Sequence, residues 1–130
     1  MISNSILDQM SANKILSLKK DLIELQYWQN KLEENHQELD AINCIQKQII
    51  QETEIANKIQ RVRRENTISF ASFCKYEQEL LKELEYGHGN YDLTLAKKHE
   101  KKRAEFISVE KSFYELKLKF YKRLSNYSIR

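Results

Sequence analysis

No proline occurs in the 130 residues, and the only glycines, Gly87 and Gly89, stand two apart. Proline ends or kinks helices and glycine loosens them, so a chain almost without either has little punctuation from which to build loops. Charged residues make up 32% of the chain, and apolar side chains recur at steps of three and four. That pattern predicts an all-α fold of long helices with few interruptions. Few loops also means few places to assemble a catalytic pocket, so function is sought in surfaces and partners, and an enzyme is not expected.

The mean hydropathy of -0.71 is strongly hydrophilic and favours a narrow apolar seam between helices over a thick core. No apolar run approaches the ~20 residues of a membrane helix, so direct membrane insertion is not expected. The opening stretch MISNSILDQMSANK lacks the basic start and apolar run of a secretory signal. Cys44 and Cys74 are too few for a disulfide framework, which favours free thiols in a reducing cytoplasm. Residues 1–65 carry 9 basic and 10 acidic groups, residues 66–130 carry 13 and 9, and most of the excess lies in Lys97–Arg123.

Ile15, Leu18, Leu22, Leu25, Leu32 and Leu39 form a seven-residue apolar repeat, with Gln29 and His36 at weaker seam positions. The stripe then shifts to Ile42, Ile45, Ile49, Ala56, Ile59 and Val62, as a local change of register would produce. Residues 1–12 are expected to fray, with Asp8 or Ser11 as the helix N-cap. Helix signals falter at residues 64–69, where Asn66, Thr67 and Ser69 favour caps and turns. Beyond them run Phe70, Phe73, Tyr76, Leu80 and Leu84, and later Phe106, Val109, Phe113, Leu116, Phe120, Leu124 and Tyr127.

These signals predict one domain, residues 1–130, folded as a long antiparallel two-helix coiled-coil hairpin. Arm one covers about 12–63, the turn about 64–69 and arm two about 70–127, each arm roughly 90 Å long. Folding there sets Glu33, Glu34 and Glu38 beside the Lys97–Arg103 cluster, and the Phe106–Tyr127 stripe against Ile15–Leu25. Gly87-His88-Gly89-Asn90 is the one flaw. A kink or short break without reversal is expected there; in a three-helix arrangement residues 85–92 form an ordinary turn instead.

Neither a CxxC pair nor a phosphate-cradling glycine loop occurs, and no catalytic, cofactor or metal ligand set stands out. His36, His88 and His99 lack the spacing of a helical metal site. His36 and His99 read as a polar seam pair that sets register, and His88 as a solvated turn residue. Glu100, Glu105, Glu110 and Glu115 interrupt the basic stretch, which weakens a nucleic-acid reading. Phe70, Phe73 and Tyr76 beside the predicted turn are candidate docking anchors, with half-buried tip packing as the other reading. Tyr27 and Trp28, flanking the seam of arm one, carry the same two readings.

Asn66-Thr67-Ile68, followed by Phe70, Phe73, Tyr76, Leu80 and Leu84, resembles the segment after the hairpin turn in the FliJ/YscO family. The Lys/Arg/Glu-rich stretch near Lys97–Glu105 and the basic final helix are similar too, while the Gly87/Gly89 pair departs from that pattern. Members of the family are stalk proteins of flagellar and type III secretion export machines. The resemblance implies a non-enzymatic central stalk, cytoplasmic and peripheral to an inner-membrane apparatus with a role in virulence. Its joined chain ends would enter a hexameric secretion ATPase and stimulate it, and its tip-proximal side would reach an export gate protein. Secretion chaperones are further implied partners. Phe73, Tyr76, Leu80 and Leu84 would dock the gate, and Lys111, Lys117, Lys119, Lys122 and Arg123 would face the ATPase. The alternatives are a self-associating coiled-coil scaffold and a small basic nucleic-acid-binding hairpin.

Overall fold

A computed structural model describes the backbone of residues 2–87 and 89–127, and the side chains of 12–87 and 89–127. The chain is all-helical, in three long helices: α1 (Ile2–Ile45), α2 (Thr53–Tyr86) and α3 (Leu93–Ser125). A π-helical turn, Gln46–Ile50, closes the end of α1. α3 does not run antiparallel to α1, its predicted partner. Lys14 pairs with Glu83 and Asp40 with Arg63, so α1 and α2 are antiparallel. Glu79 pairs with Lys98, and Tyr76 meets His99, so α3 reverses again. Glu24 meets His99 and Asn35 meets Glu110, so α1 and α3 run parallel. The result is an up-down-up three-helix bundle about 50 Å long.

The predicted two-helix hairpin is therefore corrected. Residues 64–69 lie inside α2, and the reversals fall at Gln51-Glu52 and at 87–92. The residues that suggested a turn are taken up within the bundle, although Asn66 Oδ1 stays buried without a partner. Asn66 is buried and donates Nδ2 to the Leu32 carbonyl at 3.0 Å. Thr67 Oγ1 bonds back to the Arg63 carbonyl one turn earlier, and Ser69 is buried. A short polar side chain competes with the helix only when nothing else takes its hydrogen bonds.

The first reversal has no glycine or asparagine to mark it. Gln51 itself adopts the left-handed conformation, φ +56°, and its N–H donates to the Gln46 carbonyl at 2.7 Å. Buried Gln46 accepts the Glu52 N–H on Oε1 at 2.9 Å, standing in for a cap ahead of α2. Tyr127 Oη donates to the Ile50 carbonyl at 2.6 Å and seals the junction from the far end of the chain. At the second reversal the glycines break the helix and reverse it, against the expectation of a kink. Gly89 takes φ +87°, and a Cβ on Gly87 would stand 2.4 Å from the Glu83 carbonyl oxygen. Asp92 then caps α3, its Oδ1 accepting the Leu95 N–H at 3.0 Å. Asp8 and Ser11 fall within the span of α1, not ahead of it; their side chains, and His88, lie outside the described residues.

The core is one seam in two parts. Leu18, Leu25, Trp28, Leu32, Phe73, Tyr76, Leu80, Phe106 and Val109 fill the part nearer the α2–α3 turn. Leu39, Ile42, Ile50, Ile55, Ile59, Val62, Phe113, Leu116 and Phe120 fill the other. Between them, buried Asn35 donates to Glu110 Oε1 at 2.5 Å, close to the Asn66–Leu32 contact. Trp28 and Asn35 occupy the seam positions predicted for Gln29 and His36, which turn toward α2. The Phe106–Tyr127 stripe packs alongside residues 27–50, not against Ile15–Leu25, because α3 runs parallel to α1. No helix among the described residues is long and apolar enough to cross a membrane.

Asn13 and Asn90 line one hollow at one end of the rod, whereas Arg123 and Tyr127 meet Glu52 and Ile50 at the other. Spin labels at Asn13 and Asn90 should therefore lie close together, and labels at Asn13 and Ser125 about 50 Å apart. A short Asn13–Ser125 distance would restore the hairpin.

Candidate functional site

The densest chemistry in the bundle is a polar cluster that joins all three helices near the α2–α3 turn. Asp21 and Glu24 lie three apart on α1, so both face inward on one side of that helix. Tyr76 comes from α2, Tyr91 from the turn, and His99 and Arg103 from α3. His99 is 2% exposed. Its ring stacks on Trp28 with centroids 5.0 Å apart and also meets Tyr76.

Burial pushes the Tyr76 phenol well above its ordinary range, with the Asp21 carboxylate adding to the effect. The hydroxyl therefore stays protonated and is hydrogen-bonded to His99 Nδ1 at 2.7 Å. The Glu24 carboxylate can only accept, so Nε2 directs a proton at Glu24 Oε1, 2.5 Å away, with Asp21 Oδ1 at 3.4 Å. Arg103 grips Glu24 with two bonds, Nε to Oε2 at 2.9 Å and Nη2 to Oε1 at 2.6 Å. This charge-assisted fork, opposed in part by burial, holds the Glu24 carboxyl below its ordinary value of 4.5. Tyr91 donates to Asp21, and burial followed by that bond pushes its phenol upward.

Asp21, Glu24 and His99 bring three donor atoms within 4.8 Å of one another, a set that a divalent cation can use. The sequence reading placed no metal ligands here. Both carboxylates are already held, Asp21 by Tyr91 and Glu24 by Arg103, so the cluster is complete as a hydrogen-bond network. Carboxylate, imidazole and phenol also stand in line as in a proton relay. Tyr76 is 2% exposed, however, and the surface hollows at Leu32–Phe70 and Asn13–Tyr91 do not include it or His99. The arrangement locks the level of three helices. The spacing of Asp21 and Glu24 was visible in sequence, but their partner lay 75 and more residues away.

The residues predicted to dock an export gate lie in this core. Phe73, Tyr76 and Leu80 are buried and Leu84 is half-buried, so none of the first three presents a free anchor. Of those predicted to face an ATPase, Lys117 pairs with Glu38 at 3.5 Å and covers the Phe113 ring. Lys119 pairs with Glu54, and Arg123 bridges Glu52 and Glu54 at 3.3 and 3.5 Å. Lys111 and Lys122 are exposed. The predicted pairing of Glu33, Glu34 and Glu38 with Lys97–Arg103 does not form: Arg103 takes Glu24 and Glu100, and Lys98 takes Glu79. His36 lines the α1–α2 groove, far along the rod from His99. Cys44 and Cys74 are both free thiols.

A second apolar line, of which Tyr27 alone was among the predicted candidates, lies outside the core. On α3, Ile107, Tyr114, Leu118 and Tyr121 follow one another at steps of seven, four and three, a single helix face. Each stands one step around the helix from Arg103, Glu110 or Lys117, which contact α1. On α1, Leu16, Ile23 and Tyr27 stand beside Glu24 on the edge nearest α3, and the Tyr27 ring meets Phe106 edge-on at 6.0 Å. All seven side chains are more than half exposed. The 75-residue offset between α1 and α3 sets Ile107–Tyr121 level with residues 32–46 of α1. The stripe thus starts on α1, crosses at Tyr27 and continues on α3, for about 45 Å.

Fold and surface together define a three-helix antiparallel bundle with one exposed apolar flank. Comparison with protein-family models, curated proteins and solved structures found no match.

Two outcomes follow for the cluster. Tyr76→Phe keeps the ring but leaves the buried His99 nitrogen unpaired, and should cost about 1–3 kcal/mol in urea unfolding. Because the folded Glu24 carboxyl sits below 4.5, its contribution is present above that pH and fades as pH falls through the lowered value. Glu24→Gln should therefore destabilise at pH 7 and flatten the loss of stability on acidification. An unchanged acid profile in that variant would remove Glu24 from the account.

Proposed function

We propose that the protein is a non-enzymatic helical adaptor or scaffold, which works by offering the α1–α3 flank of a stiff rod to helical partners. The observation that carries this reading is the exposed line from Leu16 to Tyr121, running the length of the bundle. Monomers rarely leave contiguous apolar patches beyond ~300–600 Å² open to water unless something binds there. The enclosure of His99 and Tyr76 supports it as well, since reacting groups need a path for substrate. Two free thiols fit a reducing cytoplasm.

A secretion stalk is the narrower form of the same reading, with a hexameric ATPase, an export gate and chaperones as partners at an inner-membrane apparatus. Exposed Lys111 and Lys122 on a rod-shaped helical body are what support it. That architecture needs both arms of the chain to end together inside the ring. Here the α1 side chains at Asn13 and Lys14 and the last turn of α3 occupy opposite ends of the rod. The broader adaptor is accordingly the function proposed, with its contact surface moved from Phe73–Leu84 to the α1–α3 flank.

A photo-cross-linking residue placed at Tyr114 in living cells should give discrete adducts, and the same residue at Lys75, exposed on α2, should not. Equal labelling at both positions, or none at Tyr114, would count against the adaptor.

A further inference from the structure

The apolar flank has a size and a symmetry that single out its occupant. Leu16, Ile23, Tyr27, Ile107, Tyr114, Leu118 and Tyr121 are each more than half exposed. Large side chains at that exposure present on the order of 800 Å² of surface. That is about the share one partner contributes to a standard stable interface, near 800 Å² a side. The line is also diagonal: one half lies on α1 and the other on α3, with the change of helix at its midpoint, where Tyr27 touches Phe106.

We infer that this flank binds a second copy of the same chain, antiparallel, about a twofold axis between Tyr27 and Ile107. The inference rests on the adaptor reading and names its first partner. An isologous contact requires a patch complementary to itself after a half-turn. Rotation about that midpoint lays the α1 half of one copy along the α3 half of the other. By the 75-residue offset of α1 and α3, Leu16 then comes opposite Tyr121 of the second copy, and Ile23 opposite Tyr114. Apolar side chains meet apolar side chains toward both ends of the line, and the shift from α1 to α3 supplies the shallow crossing angle that packed helices prefer, roughly 20°. A single partner helix laid on the flank would need about 30 residues to cover it and would have no reason to match its midpoint.

Sedimentation equilibrium of the full chain across a hundredfold dilution should show a dimer. Tyr114→Lys combined with Leu118→Lys should weaken association on the order of 100-fold while helicity and melting stay as in the parent. In a Cys44→Ser, Cys74→Ser background, Ile23→Cys with Tyr114→Cys should form an intermolecular disulfide on mild oxidation. Ile23→Cys with Ile68→Cys, exposed on α2, should not. A monomer at every concentration overturns the second copy, as does a dimer indifferent to the double lysine change or cross-linked equally through residue 68. If the chain is monomeric yet Tyr114 still gives discrete adducts to other proteins in cells, the adaptor survives and only its self-pairing falls.

Discussion

Helices packed about one narrow apolar seam can slip past each other by a turn unless a polar contact holds at one level only. This bundle has two such levels. In the middle, Asn35 reaches Glu110 across α3 while Asn66 reaches the Leu32 carbonyl across α1. Toward the α2–α3 turn, Glu24, His99 and Tyr76 link one side chain from each helix. The leucines and phenylalanines above and below supply the driving force, but a shifted set of them packs nearly as well. A slipped register would strand several buried donors and acceptors at about 1–3 kcal/mol each. Specificity here comes from polar groups inside an apolar seam, a role also known for single buried asparagines in coiled coils.

What the sequence made legible was periodicity. Leu18, Leu25, Leu32 and Leu39 on α1, and Phe106, Val109, Phe113, Leu116 and Phe120 on α3, repeat at helical steps and are all buried. The reversals were illegible for opposite reasons. Asn66, Thr67 and Ser69 look like a turn, yet each finds its partner or its packing within the bundle. Gln51 looks like any helical residue, yet it takes a left-handed conformation because Gln46 and Tyr127 satisfy the backbone around it. Those partners are distant or conformational, and local propensity contains neither. At Gly87–Gly89 the signal was present, but its magnitude could not separate a bend from a reversal.

The third helix also changes the setting of the predicted anchors. Phe70, Phe73 and Tyr76 seemed too many aromatics for the tip of a two-helix rod, and the excess was real. A third helix covers two of them: Phe73 and Tyr76 pack against Phe106 and His99, while Phe70 lines the α1–α2 hollow. An aromatic surplus on one predicted seam thus signalled another packing layer, not a docking anchor. The outer line on α3 was masked because Ile107, Tyr114, Leu118 and Tyr121 interleave with the core set one residue away. A helix apolar on two faces serves two neighbours, and only the assembled bundle reveals which face is left over.

The parallel pairing of α1 with α3 also orders events in time. Asn66 lies 34 residues from Leu32, whereas Asn35 and Glu110 are 75 apart, and closing the longer loop sacrifices more chain entropy. During synthesis the first two helices can meet before α3 is made, leaving Leu25 and Trp28 partly uncovered until the third arrives. Tyr127, whose hydroxyl fastens the Ile50 carbonyl, follows all three helices along the chain. A nascent chain on the ribosome therefore carries an open hydrophobic trough between α1 and α2 until α3 emerges, and the clasp that shuts it comes after α3.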